Sequence, residues 1–196
     1  MTSRLIPSSL SPSPSPSTLQ VDPKSKEFKT IVTYTENTQG YRKCKVGDVF
    51  RVEDCANAEA FSDHTESIGN RKLLWHGTNV AVVAAILKSG LRIMPHSGGR
   101  VGSGVYLASE NGKSAGYCTA QGHDGVMFLV EAALGNQKIV TRDGQVGYND
   151  KDPVSASGHV RHFRPHRCSS TRILQCHVPP VVCMAVLSIW TSLVVG

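Results

Sequence analysis

RKLLWHGTNVAVVAAILKSG, residues 71–90, is the stretch that decides the predicted fold. It opens with a mostly apolar run that ends at Gly77, a pattern typical of a buried strand followed by a tight turn. Thr78 or Asn79 can cap the helix that follows, and Gly90 can end it. Because this helix is apolar on most of its surface, we expect it to be buried against a sheet.

Upstream of this stretch, two segments have patterns that favour strands. FKTIVTYT, residues 28–35, is apolar and β-branched, and VGDVFRV, residues 46–52, alternates between apolar and polar positions. Before them, residues 1–25 include SSLSPSPSPS, which supplies nothing to bury, so we predict a disordered tail there. Its Ser-rich start also resembles a transit peptide, although Arg4 alone supplies little positive charge.

Downstream, loop, strand and helix patterns follow one another closely. We predict a loop over residues 91–104, a short strand in GVYLAS and a helix from Ser109 to Ala120 that Ser109 caps. VMFLVEAALG then predicts a core strand ended by Gly135. Strands outnumber the short helices, which favours an α+β fold with a mostly antiparallel sheet over a repeated βαβ array.

Length and composition favour one folded domain. The chain has 196 residues, of which 40% are hydrophobic and 18% charged, and domains typically contain roughly 100–200 residues. Lys and Arg exceed Asp and Glu by 21 to 15 without a dense basic run, so the surplus suits a polyanionic ligand or an ordinary solvated surface. Six widely spaced cysteines without a secretory signal favour a reducing compartment.

The C-terminal block differs from the rest of the chain. No Asp or Glu occurs in residues 153–196, and the strand and turn signals there are incoherent. We therefore predict a divergent tail at 151–196 after a partial domain at 26–150. The uncharged end of the chain is shorter than the roughly 20 residues that a bilayer span needs. A tail anchor is thus less favoured than a buried or aggregation-prone end, or a tail created by aberrant splicing or gene prediction.

Three familiar ligand motifs are nearly present but fail. A dinucleotide fingerprint after Gly102 needs a third glycine where Leu107 stands, and a P-loop ending at Ser114 needs its first glycine at that same position. A zinc site is not predicted either, because the clustered His and Cys residues near the C-terminus lack a recognisable ligand spacing. Those residues are His162, His166, Cys168, Cys176 and His177.

Other features around the central stretch suit a flat ring that carries an amide. They are His76, Gly77, Tyr106, Ser114 and Tyr117. The backbone of Gly77 and the hydroxyl of Ser114 can supply donors and acceptors to the amide, and the tyrosines can cover the ring faces. Glycine suits such a position because the backbone must approach the ligand closely. From the residues alone, a structurally satisfied histidine and core tyrosines remain the alternative.

The order and spacing of these pieces resemble one family. NRKLLWHGTNVAVVAAILKSGLRIMPHSGGRVGSGVYLASENGKSAGYC, Asn70 to Cys118, is similar throughout to the catalytic domain of the poly(ADP-ribose) polymerases. The motifs WHGT, GLRI, GVYLAS and KSAGY carry the resemblance, which is strong over residues 27–149, and the third, DNA-break-responsive paralogue is the most similar branch. The resemblance implies an α+β ADP-ribosyltransferase fold with a split sheet, and NAD as co-substrate.

The resemblance implies a role in NAD binding for each residue of this set. His76 would hydrogen-bond a ribose, and Gly77 and Ser114 would hold the carboxamide. Tyr117 would stack on the nicotinamide ring, with Tyr106 lining the pocket.

At the other end of NAD, Thr78 and Arg92 are implied to contact the adenosine side. The family joins ADP-ribose to Glu, Asp or Ser side chains of proteins, or to a growing chain, while nicotinamide leaves. Ser103 stands where many members have a lysine, which removes one positive charge near the acceptor side. Nuclear location and a part in DNA repair are also implied, with the cytoplasm as the alternative location.

The resemblance also implies features that we expect this chain to lack. The family places a glutamate on a strand near its C-terminus, where it stabilises the positive charge that builds on the ribose carbon, as in glycoside hydrolysis. Here Glu131 is the last glutamate, so we expect the catalytic glutamate and the strands that complete the sheet to be missing. The tryptophan-glycine-arginine module and helical regulatory domain of DNA-responsive members do not fit within residues 1–25, so no DNA-binding module is expected.

Two functions stay open on the sequence. The first is an NAD-dependent protein ADP-ribosyltransferase with an incomplete C-terminal part. The second is a catalytically inactive pseudoenzyme or interaction module that keeps the NAD pocket. A membrane-tethered product is less favoured than either. We expect binding of nicotinamide analogues with little or no polymer formation.

Overall fold

Most of the described chain is β-structure. A computed structural model describes residues 17–40, 43–53, 66, 68–93, 98–99, 102–118, 124–135, 137–140, 155–160, 171–176 and 184–192. The helices are α1 (Lys26–Asn37), α2 (Val80–Ser89) and α3 (Asn111–Ser114), and α3 continues into a 3₁₀ turn at Ala115–Tyr117. The strands are β1 (Ser17–Gln20), β2 (Lys43–Glu53), β3 (Arg71–Gly77), β4 (Gly98–Gly99), β5 (Gly102–Ser103), β6 (Val105–Ala108), β7 (Asp124–Ala133), β8 (Gln137–Val140), β9 (Ser155–Val160), β10 (Thr171–Cys176) and β11 (Met184–Ser192).

One large sheet organises these elements. Across the described residues its strand order is β1-β2-β11-β7-β3-β6-β10-β9-β8, while β4 and β5 pair separately. Every neighbouring pair in the large sheet is antiparallel except β8 with β9. The prediction of an α+β fold with a mostly antiparallel sheet is therefore confirmed.

The sheet opens between β3 and β6. On its other side β3 pairs with β7 along its whole length, from Arg71↔Ala133 to Gly77↔Met127. With β6 it pairs only at Trp75↔Ala108 over the described lengths of the two strands. The two strands thus part beside His76, at the same corner where the sequence places its candidate ligand residues.

Two hydrophobic clusters form the core, one on each face of the sheet. Leu74 packs in the cluster that includes Ile86 of α2 and Phe128 of β7. Its neighbour Trp75 packs in the cluster that includes Ile31 of α1. Because successive side chains of a strand point to opposite faces, the two helices cover opposite sides of β3 and hold its end from both directions.

The strand predicted for FKTIVTYT is wrong, because these residues lie within helix α1. Ser25 caps the helix by accepting a hydrogen bond from the Phe28 N–H at 3.1 Å. Ile31 and Thr35 are buried at a spacing of four, which places them on one helix face. Tertiary burial of this face outweighs the β preference of the branched residues.

Helix α2 and its caps are as predicted, but its burial is not. Asn79 Oδ1 accepts from the Ala81 N–H at 2.9 Å, and Gly90 ends the helix with φ +72°. Only Ile86 of this helix is fully buried, and the side chains of Val80 and Val82 are 52% and 43% exposed. One face of the helix packs against the sheet as expected, but the other face is exposed, so the expectation that the helix does not lie on the outside is wrong.

Further downstream, the strands are predicted better than the helix. The predicted strands correspond to β6 and β7, and Gly135 follows β7 with φ +51°. The helix predicted over Ser109 to Ala120 is shorter, begins at Asn111 and has Glu110 at its cap position without a side-chain cap bond. Ser109 is therefore not the cap.

The terminal segments join the sheet more than the sequence indicated. Ser17–Gln20, within the predicted disordered tail, forms β1 and pairs with β2. The expectation that strands completing the sheet are missing is wrong, since β11 lies between β2 and β7 and β10 pairs with β6. Backbone pairing can use any residue that tolerates extended geometry, so a weak sequence pattern did not reveal these strands. In the part of the chain that is described, no helix is long and apolar enough to cross a membrane.

Candidate functional site

Trp75 fixes the position of the C-terminal end of β3. Its side chain is fully buried and stacks on Tyr34, with ring centroids 5.6 Å apart. Its Nε1–H donates to the hydroxyl of Thr38 at 3.0 Å. The Trp75 backbone is thereby held between α1 and the sheet, which sets the position of the next two residues, His76 and Gly77.

His76 is held as a neutral ring. Its Nδ1 lies 3.0 Å from the carbonyl oxygen of Tyr106, and a carbonyl can only accept, so Nδ1 carries the proton. Burial lowers the pKa of His76, with the Tyr106 hydrogen bond opposing that shift. The neutral tautomer leaves Nε2 with a lone pair that can accept from a ligand hydroxyl.

Gly77 and Ser114 are in direct contact. A Cβ atom on Gly77 would lie 1.8 Å from the Ser114 carbonyl oxygen, so only glycine fits here. Ser114 is buried, and its hydroxyl donates to the Trp75 carbonyl at 2.9 Å. Alternate residues of a strand direct their N–H and C=O groups to the same edge, so the backbone groups of Gly77 face the side on which Ser114 lies.

The two candidate tyrosines differ in exposure. Tyr106 in β6 is partly buried, and its carbonyl orients His76. Tyr117, at the end of the 3₁₀ turn that follows Ser114, is 63% exposed. Its phenol ring therefore offers an aromatic face to a ligand at the same end of α3. We call His76, Gly77, Tyr106, Ser114 and Tyr117 the corner site.

Thr78 and Arg92 lie at opposite ends of α2. Thr78 immediately follows the corner, whereas Arg92 follows the helix and its Nε–H donates to the Ser89 carbonyl at 3.2 Å. The helix spans Val80–Ser89, which at 1.5 Å per residue is about 15 Å. Thr78 thus adjoins the corner site, and Arg92 is set apart from it by the length of the helix.

Glu131 is engaged elsewhere. Its carboxylate pairs with Arg71 Nε at 2.7 Å, and it lies opposite Leu73 in the ladder of β3 and β7. His76 is three residues further along that strand, roughly 10 Å away at the usual rise per residue. The last glutamate in the sequence is a surface partner of Arg71 and not a neighbour of His76.

Sequence reasoning missed three residues that support the corner. Asn111 and Thr38 join α3 to α1, and Cys118 contacts the chain around Gly77. The Cys118 thiol donates to the Val126 carbonyl at 3.2 Å, and its pKa is raised to about 11, mainly by burial. It is therefore a protonated packing group and not a nucleophile. The only signal for Asn111 in the sequence is its place one turn before Ser114.

A metal centre finds no support in the described residues. They contain no group of three His, Cys, Asp or Glu side chains that could hold an ion. The side chains of the C-terminal His and Cys residues lie outside the described part of the chain. The chemistry that the described corner offers is that of hydrogen bonds and an aromatic face.

Together, the corner groups suit a small planar amide joined to a sugar. The Gly77 backbone offers a donor and an acceptor, and Ser114 has an oxygen whose lone pairs can accept a further hydrogen bond. Tyr117 presents a ring face, and His76 Nε2 can accept from a hydroxyl next to the planar group. None of these groups carries a charge, so the described corner recognises shape and hydrogen bonding.

Comparison with known proteins gives a family match. The model of the poly(ADP-ribose) polymerase catalytic domain matches residues 25–183. The chain is 52% identical over 149 residues to the human protein mono-ADP-ribosyltransferase PARP3, covering 71% of this chain and 28% of that protein. It is 54% identical over 128 residues to mouse PARP3, covering 63% and 24%.

A plant protein is also similar. Poly [ADP-ribose] polymerase 2 of Arabidopsis thaliana is 40% identical over 123 residues, which is 57% of this chain and 19% of that protein. The matches thus span between about a fifth and somewhat more than a quarter of the length of these relatives.

Proposed function

Because the chain belongs to the poly(ADP-ribose) polymerase catalytic domain family, as its motifs predicted and the matches confirm, we propose that it binds NAD as an ADP-ribosyltransferase domain. The observation that carries this proposal is the contact between Gly77 and Ser114 at the end of the strand, next to His76, whose Nδ1–H donates to the Tyr106 carbonyl. That contact brings together residues that are 37 positions apart and that the family resemblance assigns to one ligand.

The corner site binds the nicotinamide end in this proposal. The Gly77 N–H donates to the carboxamide oxygen, and the Gly77 carbonyl and the Ser114 oxygen accept from the carboxamide nitrogen. The exposed ring of Tyr117 stacks on the pyridine face, where aromatic pairs typically gain about 0.5–1.5 kcal/mol beyond area burial. The hydroxyl of Ser114 already donates to Trp75, so it serves the ligand as an acceptor.

His76 binds the adjoining ribose. Its Nε2 accepts from a ribose hydroxyl because Nδ1–H is committed to Tyr106. This fixes the sugar relative to the ring, so the bond between them is held in one orientation. Holding the reacting atoms in a defined geometry is a large part of what a transferase contributes.

The transfer step breaks the bond between ribose C1′ and the ring nitrogen. The electron pair of that bond leaves with nicotinamide, and an oxygen of a protein Glu, Asp or Ser acceptor forms the new bond to C1′. A Ser acceptor releases its proton to solvent. Positive charge develops on the ribose as the bond breaks, and a carboxylate beside it stabilises that charge.

We propose that this chain performs the step slowly. No glutamate follows Glu131 in the sequence, residues 153–196 carry no acid, and Glu131 itself is paired with Arg71. Loss of one electrostatic partner of a transition state typically costs ~10²–10³ in rate. These same observations favour the second candidate function, a module that binds NAD without transferring ADP-ribose.

Titration calorimetry with nicotinamide and with NAD tests the proposal. We expect both ligands to bind the folded chain. His76→Asn should weaken the binding of NAD and leave the affinity for nicotinamide nearly unchanged, because only NAD carries the ribose. Absence of heat with both ligands, on protein that melts cooperatively, would refute the assignment. Labelled NAD then separates slow transfer from binding alone.

A further inference from the structure

A chain of hydrogen bonds ties the end of α1 to the first turn of α3. Asn111 is fully buried, and its backbone N–H donates to the Thr38 carbonyl at 3.0 Å. Its side-chain Nδ2 donates to the Thr35 carbonyl at 2.6 Å and lies 3.4 Å from the Thr38 hydroxyl. Two separate elements of the chain therefore meet at one amide side chain.

The same tie extends to β3. The Thr38 hydroxyl accepts from Trp75 Nε1 and donates to the Tyr34 carbonyl at 2.7 Å. At the other end of α3, the Ser114 hydroxyl donates to the Trp75 carbonyl. Trp75 is thus held through its indole by Thr38 and through its carbonyl by Ser114. Asn111 connects these two partners, because it bonds Thr38 and lies in the same short helix as Ser114.

We infer that Asn111 is a positioning residue for the corner site, an inference that rests on the proposed function. Asn111 begins α3 and Ser114 ends it, so the attachment of Asn111 to Thr38 sets where Ser114 meets Gly77. A Cβ atom at Gly77 would lie 1.8 Å from the Ser114 carbonyl oxygen, so the two backbone segments are already in direct contact. A small displacement of α3 changes the spacing between the carboxamide-binding groups.

The side chain of Asn111 is not optimised for stability alone. Its Oδ1 is buried and has no hydrogen-bond partner in the described structure, and an unmet buried acceptor is unfavourable. Removing the side chain removes this atom along with the Nδ2 bonds. We therefore expect its loss to affect ligand binding more than it affects folding.

Nicotinamide titration of the full chain tests the inference. Melting temperatures and the NMR chemical shifts of the Gly77 and Ser114 backbone amides are measured alongside it. Asn111→Ala and Thr38→Val should each weaken nicotinamide binding about tenfold or more and shift those amides. Thr38→Ser keeps the hydroxyl and should bind like the parent. Val49→Ala, a buried change in β2, should lower the melting temperature without changing the affinity.

The outcomes distinguish a positioning role of Asn111 in ligand binding from a role in stability alone. If Asn111→Ala and Thr38→Val lower the melting temperature but bind nicotinamide like the parent, the inference is overturned. If the parent does not bind nicotinamide, the proposed function fails. The inference is then decided by the NMR chemical shifts of the Gly77 and Ser114 amides, and it is overturned as well if Asn111→Ala leaves them unchanged. If Asn111→Ala does not fold, the pair Thr38→Val and Thr38→Ser gives the same decision.

Discussion

The backbone of Gly77 packs on the carbonyl group of Ser114 so closely that a Cβ at residue 77 would lie 1.8 Å from its oxygen and 2.6 Å from its carbon. The end of β3 and the end of α3 are therefore in direct backbone contact. No rotamer change relieves an overlap with backbone atoms, so one of the two segments must move when residue 77 carries a side chain.

Gly77→Ala should destabilise the protein and abolish nicotinamide binding. Overpacking of a tight site typically costs about 1–3 kcal/mol, and the displaced α3 carries Ser114 away from the carboxamide. Denaturant unfolding and nicotinamide calorimetry measure the two effects. Gly90→Ala is the control. Gly90 has φ +72° with open space around it, so the substitution adds backbone strain of about 1–3 kcal/mol without moving α3. Wild-type affinity in Gly77→Ala would contradict the proposed site.

Ser114→Ala should weaken both stability and nicotinamide binding. The buried Trp75 carbonyl loses the donor that lies at 2.9 Å, and an unsatisfied buried group costs about 1–3 kcal/mol. Ser89→Ala is a matched control, since the exposed Ser89 hydroxyl donates to the Ala85 carbonyl of its own helix, and such surface changes stay within about 0.5 kcal/mol. Equal effects of the two substitutions would argue against a role for the Ser114 hydroxyl.

The free energy of unfolding should decrease as the pH is lowered, because unfolded His76 binds a proton more readily than folded His76 does. Burial lowers its pKa from the ordinary value of about 6.5, so the unfolded state binds this proton more readily than the folded state. The stabilising contribution of neutral His76 is fully present above about pH 6.5 and declines as the pH falls from there through the lower folded-state pKa. Urea unfolding across that window should show a steeper loss for the parent than for His76→Asn, whose amide can still donate to Tyr106 without titrating. Parallel curves for the two proteins would contradict a buried neutral histidine.

Glu131→Gln should leave ligand binding and any residual transfer unchanged. The Glu131 side chain is 29% exposed and pairs with the 41% exposed Arg71 at 2.7 Å, and such surface pairs contribute about 0.2–1 kcal/mol. Stability should fall within that range. Loss of transfer of ADP-ribose from labelled NAD in this variant would instead identify Glu131 as a catalytic group, against its position in the ladder.

Replacing residues 151–196 with the corresponding segment of the human relative should increase transfer from labelled NAD by ~10²–10³. The family resemblance implies that this segment carries the glutamate that stabilises the ribose charge. Nicotinamide affinity should stay within a few fold, because the corner site lies wholly in residues 76–117. Robust and equal labelling by both proteins would show that this chain has its own substitute for the glutamate.

The sequence reveals elements whose patterns are local and strong. Strand β3 and helix α2 were predicted with the residues that cap and end the helix, because periodicity, Asn79 and Gly90 act within a few positions of the chain. The family motifs likewise implied which residues would contact a ligand, and that assignment stays a prediction. The strand predicted at 28–35 is a helix, since burial of Ile31 and Thr35 on one face overrides a weak β preference.

By itself, the sequence determined the residue types at the corner, the family, and the absence of any glutamate beyond Glu131. Tertiary structure alone decided that β11 joins the sheet, that Glu131 pairs with Arg71, and that Asn111 fastens α3 to Thr38. These relations join residues far apart in the chain, and their existence depends on packing and backbone geometry that no local pattern of residues records. The close approach of Gly77 to Ser114 belongs to both, because the sequence supplies the glycine and the fold supplies the carbonyl that makes it necessary.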